Sequence, residues 1–237
     1  MKNELLFDSI CNKYNLSILD KEYLIKIVYP IINDDNFLRR TTSEFPHHGS
    51  ITLGEHIIED VVVTYLMSKK EIKKRENYRM DLAINIALLH DLYTIPWQNN
   101  RDAKVKHFFD KHGFRHPIEA VINSITWYPY LFQNDIDSMI LIDGILHHMF
   151  PLPVRYLNNL TELKNKELLN NLDDKYKKMI DTSLKRKRIG SISFTRSSYM
   201  EGRVMSKADR KVSRKQIKDF SSFKALLTGH NKNLKNK

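Results

Sequence analysis

An all-α fold is predicted by three observations on this chain of 237 residues. Apolar residues recur at three- and four-residue spacing in its longer segments, and helix-opening and helix-ending residues stand at the edges of those segments. No stretch alternates polar and apolar residues for long enough to make a convincing strand, and no internal repeat is visible. With 41% hydrophobic residues a substantial core is expected, in one helical domain with appendages.

Residues 3–14 and 19–32 read as two short helices, the second weakened near its end by Pro30, which lacks the N–H the helical ladder needs. They form an N-terminal cover over residues 1–44. Thr52-Leu53-Gly54-Glu55 fits a capping box that opens a helix running to about Arg75, with His56 in its first turn. The next helix covers roughly 78–92, where Met80, Ile84, Ala87, Leu88 and Asp91 share one face. Pro96 to Asn100 mark a loop. Lys111 to Pro117 reads as a turn, with Gly113 permitting unusual backbone, His116 at the cap and Pro117 at the first position of another helix. Residues 135–149 form a further helix, ended by Pro151 and Pro153 and carrying Asp143, His147 and His148. Within the main domain at 45–218, residues 156–200 read as a basic insertion or flap, helical between about 161 and 181. A final helix is expected over about 204–219, and 219–237 is a tail.

The net charge of +11 is uneven: residues 1–44 carry 6 basic and 7 acidic groups, 45–155 carry 12 and 13, and 156–237 carry 21 and 8. The C-terminal excess, with its run Lys185 to Arg188, is a candidate surface for nucleic acid, acidic membrane or polyphosphate, set against the plainer reading of a solvated lysine-rich face. A lone cysteine, Cys11, excludes an internal disulfide framework; with no recognisable leader, a reducing cytoplasm is the expectation. No apolar run approaches the roughly 18 to 20 residues that span a bilayer.

His90-Asp91 ends the apolar run Leu82 to Leu89. Burying such a polar pair is costly unless metal or hydrogen bonds compensate. Taken singly, a histidine more often caps a helix or bonds within the core. The ordered series His56, His90-Asp91, His116, His147-His148 and Asp209 on successive helices reads instead as a metal site. Imidazole and carboxylate donors suit Zn, Fe, Mn, Ni or Co, and the lack of thiolate ligands argues against a structural zinc. Asp91 is placed to bridge two divalent ions, which lie about 3.5 to 4 Å apart in dinuclear sites.

On these residues the chain resembles the HD-domain metal-dependent phosphohydrolases. Glu55-His56 matches their helix-borne histidine, Leu89-His90-Asp91 their His-Asp pair, and Ala208-Asp209-Arg210 their distant aspartate. The dinuclear branches insert two further histidines, which His116 and His148 match. A closer resemblance is to a little-characterised bacterial HD subgroup with a His-Gly element, then His-Gly-Phe-x-His-Pro and His-Met-x-Pro-Leu. Here these are His48-Gly49, His112-Gly113-Phe114-Arg115-His116-Pro117 and His148-Met149-Phe150-Pro151-Leu152. The resemblance covers about 45–218 and implies a helical HD core binding divalent metal through His56, His90, Asp91, His116, His148 and Asp209, with His147 as the alternative to His148. The segment between Leu152 and Asp209 is long and basic for the subgroup.

The leading functional expectation is hydrolysis of a phosphomonoester or phosphodiester by metal-activated water, with a nucleotide or nucleotide-derived signal as substrate. His90 and Asp91 are its catalytic centre. Arg115 is a candidate phosphate clamp, against a surface salt bridge. His48, with His47 and His112, is a candidate to protonate a leaving group or touch phosphate, against capping and supporting roles. Glu55 reads as a capping residue. Trp97 and Trp127 read as core aromatics before base-stacking platforms. Two alternatives use the same residues: a diiron oxygenase of HD fold, and a non-catalytic module that binds a nucleotide in the pocket or nucleic acid through the basic segment.

Overall fold

The computed structural model describes residues 2–47, 51–96, 108–155, 169–190 and 192–219. The candidates His48 and Trp97 lie outside them. The chain is predominantly helical: α1 (Lys2–Lys13), α2 (Ile18–Ile32), α3 (Asp35–Leu38), α4 (Leu53–Glu71), α5 (Met80–Leu89), α6 (His112–Trp127), α7 (Asp135–Leu146), α8 (Asp174–Lys185) and α9 (Met200–Asp219), with short 3-10 turns between several of them. Among the described residues no helix is long and apolar enough to cross a membrane.

The centre is α5, in which every residue from Leu82 to Leu89 is buried. A helix apolar on all sides must be enclosed, and α4, α7 and α9 pack around it. The side chains of α1 and α2 join the same continuous core, with Phe7, Leu24 and Val28 fully buried beside Ile57, Ile84 and Leu88. α2 continues through Pro30 to Ile32, since the proline falls in its last turn.

Helix starts follow local chemistry. The side chains of Ser17, Asp34, Asn134 and Asp173 accept hydrogen bonds from first-turn backbone N–H groups. Thr52 and Glu55 form the expected capping box, which fixes the start of α4 and thereby the position of His56. Two glycines let the inner helices approach closely. A Cβ on Gly202 of α9 would lie 2.7 Å from the Cα of Gly144, and a Cβ on Gly144 of α7 would lie 2.4 Å from Cδ1 of Ile86 in α5. These helices carry Asp209, His148 and His90 toward one another.

Three details differ from the sequence expectations. α6 begins at His112, so Pro117 lies inside it and His116 is within the helix rather than at its cap. The Pro-at-N1 preference therefore misplaces the start by a turn. The added turn sets His112 and His116 four residues apart on one face, their rings stacked with centroids 4.9 Å apart. α9 starts at Met200, one turn before the expected 204. Finally, a three-stranded antiparallel sheet of two-residue strands, ordered β1 (Val154–Arg155), β3 (Ile192–Ser193), β2 (Arg188–Ile189), occupies part of the basic segment. Strands this short leave no period for sequence reading to detect.

The described part of that segment is fastened to α7 by one buried carboxylate. Asp143 accepts hydrogen bonds from Ser183 Oγ, Ser197 Oγ and the Ser198 N–H, each at 2.7 Å, and pairs with Arg186. A buried charge is tolerable when so fully bonded.

Candidate metal centre

Five helices deliver the predicted ligand residues to one buried place. His56 stands in the first turn of α4, His90 caps α5 with Asp91 next, His116 lies in α6, His148 follows α7, and Asp209 lies in α9. All six are at least nine-tenths buried. His148, rather than His147, faces the cluster. Its Nε2 lies 3.0 Å from His116 Nε2 and 3.5 Å from Asp91 Oδ1. His147 turns to the Asp143 network, with its Nε2 3.0 Å from Ser183 Oγ.

The imidazoles are oriented from behind. Nδ1 of His90 donates to the Ala87 carbonyl at 2.8 Å, that of His148 to Ile145 at 2.7 Å, and that of His116 to His112 at 3.1 Å. A carbonyl can only accept, so each Nδ1 carries the proton, and in the neutral ring Nε2 presents a lone pair. His56 Nδ1 meets Gln216 Oε1 at 2.9 Å. The amide orientation is set by Gln216 Nε2 donating to Glu59 Oε2 at 2.9 Å, and Glu59 accepts in turn from Tyr14 Oη and Lys13 Nζ. Fixing one ring nitrogen so that the other faces inward is how metal-binding histidines are held.

What these groups face is unusual. His116 and His148 bring their Nε2 atoms to 3.0 Å, where at most one proton fits between them. The buried atoms His90 Nε2, Asp91 Oδ1 and both carboxylate oxygens of Asp60 have no hydrogen-bond partner among the described residues. Asp60 Oδ2 lies 3.0 Å from His56 Nε2 and 3.5 Å from His90 Nε2, so an attraction of charge operates there without hydrogen-bond geometry. Asp91 faces two ways, Oδ2 toward His90 Nε2 at 3.5 Å and Oδ1 toward His116 Nε2 at 3.2 Å. Acceptors converging on acceptors inside a protein need a shared cation. These donors fit one: ligand atoms of His56, Asp60, His90 and Asp209 lie within 4.8 Å of one another, as do those of His90, Asp91 and His148, and those of His47, His56 and Asp91. The buried His/Asp cluster could hold a metal ion, and it resembles an HD-type metal site.

Electrostatics agree with that pull. Burial pushes Asp60 up to about 7 against the lowering effect of His56. Burial drives His90 down to about 4, which keeps it neutral despite Asp91. For Asp91 burial acts upward, but His90, His116 and His148 outweigh it and hold the carboxyl well below its usual range. Burial likewise opposes protonation of His56, yet Asp60 and Asp209 raise it well above the ordinary imidazole value. Without an ion, His56 therefore carries the proton that offsets part of the carboxylate charge.

Sequence reasoning missed Asp60 and the Gln216–Glu59 pair. Both left signals: Asp60 is four residues after His56 on the same helical face, and Gln216 is seven after Asp209. Two further residues were expected to be catalytic. His48 is outside the described residues. Arg115 is buried on α6, 100° before His116, and is not among the described residues that line the adjoining cavity. That cavity, of about 230 Å³, is bounded by His47, His56, Asp91, Tyr93, His112, Gly113, His116, Met149, Asp209 and Ser213. His47 stacks on His56 with ring centroids 4.0 Å apart. Trp127 packs under the Arg40 guanidinium, 4.6 Å from its ring centroid.

Fold and site together define a mostly helical protein with a buried His/Asp cluster able to bind metal. Comparison with protein-family models, curated proteins and solved structures finds no match for this chain.

Proposed function

We propose that the chain is an HD-type metal-dependent phosphohydrolase acting on a small phosphoester, such as a nucleotide. The observation that carries this reading is the two-sided position of Asp91, between His90 on one side and His116 with His148 on the other. In this reading His56, His90, Asp91 and Asp209 hold one divalent ion, and Asp91, His116 and His148 hold a second. Asp60 lends its charge to the first site. Bound there, the pair would activate a water and neutralise phosphate oxygens.

Charge balance favours two ions. Two divalent cations exceed the three carboxylates Asp60, Asp91 and Asp209 by one charge, whereas a single ion falls one short. A site left positive suits an anionic substrate. The described cavity wall has no Lys or Arg, so little besides metal and histidine is at hand to bind phosphate. His47 and His112 stand on that wall, in position to donate hydrogen bonds to phosphate oxygens or to the departing oxygen. The cavity of about 230 Å³ lies below the roughly 300–1,000 Å³ of drug-sized ligand pockets, consistent with a compact substrate or its phosphate end.

The test is phosphate release from a generic phosphodiester and a nucleotide panel, with Mn, Co, Ni or Fe added to chelated protein, with and without oxygen. Metal-dependent, oxygen-independent release that falls at least roughly a hundredfold in His116→Ala and His148→Ala is expected, beyond the 10- to 100-fold effect of losing an outer partner. Oxygen consumption with iron and no phosphate release would replace this reading with an oxygenase.

A further inference from the structure

We propose that the outer face of α9 binds single-stranded nucleic acid. Arg203, Lys207, Arg210, Lys211 and Arg214 occupy one sector about 100° wide, by the 100° turn per residue of a helix. Lys207, Lys211 and Arg214 are exposed. The described acidic side chains of the same helix, Glu201 and Asp209, are buried.

Many exposed cations elsewhere have carboxylate partners, Lys69 with Asp20, Lys74 and Arg75 with Glu71, and Arg79 with Asp81 and Asp137; Lys70, Lys73, Lys178 and Lys187 are exposed with none among the described residues, but they do not form a row along one helix face. In the run Lys185 to Arg188, the more conspicuous one in sequence, Lys185 pairs with Asp181 and Arg186 with Asp143. On α9, Lys207, Lys211 and Arg214 have no carboxylate partner among the described residues, and the guanidinium groups of Arg203 and Arg210 donate only to backbone carbonyls. Like charges three and four residues apart repel and destabilise a helix. Here that repulsion is sustained over three turns, and a polyanion would relieve it.

The geometry points to a strand. Arg203, Lys207 and Lys211 succeed one another every four residues, about 6 Å along the axis, close to the interval between phosphates in an extended single strand. Binding rests on the charges alone and does not require the hydrolase reading.

Fluorescence anisotropy with labelled 20-nucleotide dT and U strands, in chelator and across a salt series, tests the proposal without any turnover. The variant is Lys207→Glu/Lys211→Glu/Arg214→Glu, with the same three positions changed to Gln as a milder form. Lys177→Glu/Lys178→Glu/Lys187→Glu supplies equal charge change elsewhere, and circular dichroism verifies folding of each. Affinity is expected to fall at least tenfold in the α9 variants and less than threefold in the control. The log–log salt slope should become shallower by about 2, since each phosphate contact on a single strand contributes roughly 0.7. Absence of single-strand binding, equal loss in both triple variants, tighter binding to a 20-bp duplex, or preferential binding to phosphatidylserine vesicles would overturn it.

Discussion

At the scale of single residues, the candidate metal centre depends on side chains behind it as much as on those within it. Gln216 connects His56 to Glu59, and Tyr14 and Lys13 anchor Glu59 from the first helix and the residue after it. Gln216→Leu should weaken metal binding by roughly 10- to 100-fold, the usual range for an outer partner, measured by competition with a chromophoric chelator; unchanged affinity would show that the chain is packing alone. Glu59 also gives a pH signature. Burial acts to raise it, but hydrogen bonds from Lys13, Tyr14 and Gln216 prevail and hold it down to about 2 from a usual 4.5. Its folded value lies below its unfolded one, so its contribution is complete above pH 4.5 and disappears as pH falls toward 2. Urea unfolding of wild type and Glu59→Gln should therefore differ most near neutrality and converge in acid. Asp60 and Gln216 were readable only as positions four and seven residues from candidate ligands. Nothing in one sequence ranks such positions above other polar residues on a helix, whereas three-dimensional convergence does.

At the scale of elements, helix ends and helix crossings set the site. The capping box at Thr52 was visible because its chemistry is local, three residues apart. Thr52→Ala should cost about 1 kcal/mol of stability in denaturant titration, with the metal ligands retained. The crossing of α5, α7 and α9 was not visible, because Gly144 and Gly202 look like ordinary helix interruptions until their neighbours are known. Gly144→Ala inserts a methyl group where Ile86 already lies. Overpacking of that kind costs about 1–3 kcal/mol, and at this crossing it should also lower metal affinity by displacing His148 relative to His90. A variant destabilised with wild-type metal affinity would uncouple the crossing from the site. The start of α6 was misread because Pro117 was given its statistically favoured position, whereas the core accommodates it a turn later. That turn is what aligns His112 with His116.

At the scale of the whole molecule, the helical class followed from periodicity, and the candidate ligands named by their order along the chain lie close together in the fold. Their distances, the choice of His148 over His147, and the location of unpartnered charge on α9 required the fold. The apolar helix α5 ends inside the protein on His90 and Asp91, and α4, α7 and α9 close around it. A centre with three carboxylates and unpartnered acceptors is a source of instability until a cation occupies it, since a ligand that binds only the folded state adds to its stability. The most direct measurement is the metal stoichiometry of chelated and reloaded protein by mass spectrometry, with thermal unfolding of the same samples, for wild type and Asp91→Asn. Up to two divalent ions per chain in wild type, a higher Tm on loading, and loss of at least one ion in Asp91→Asn are predicted. No bound ion in the wild type at micromolar metal, or full wild-type loading in Asp91→Asn, would contradict the account.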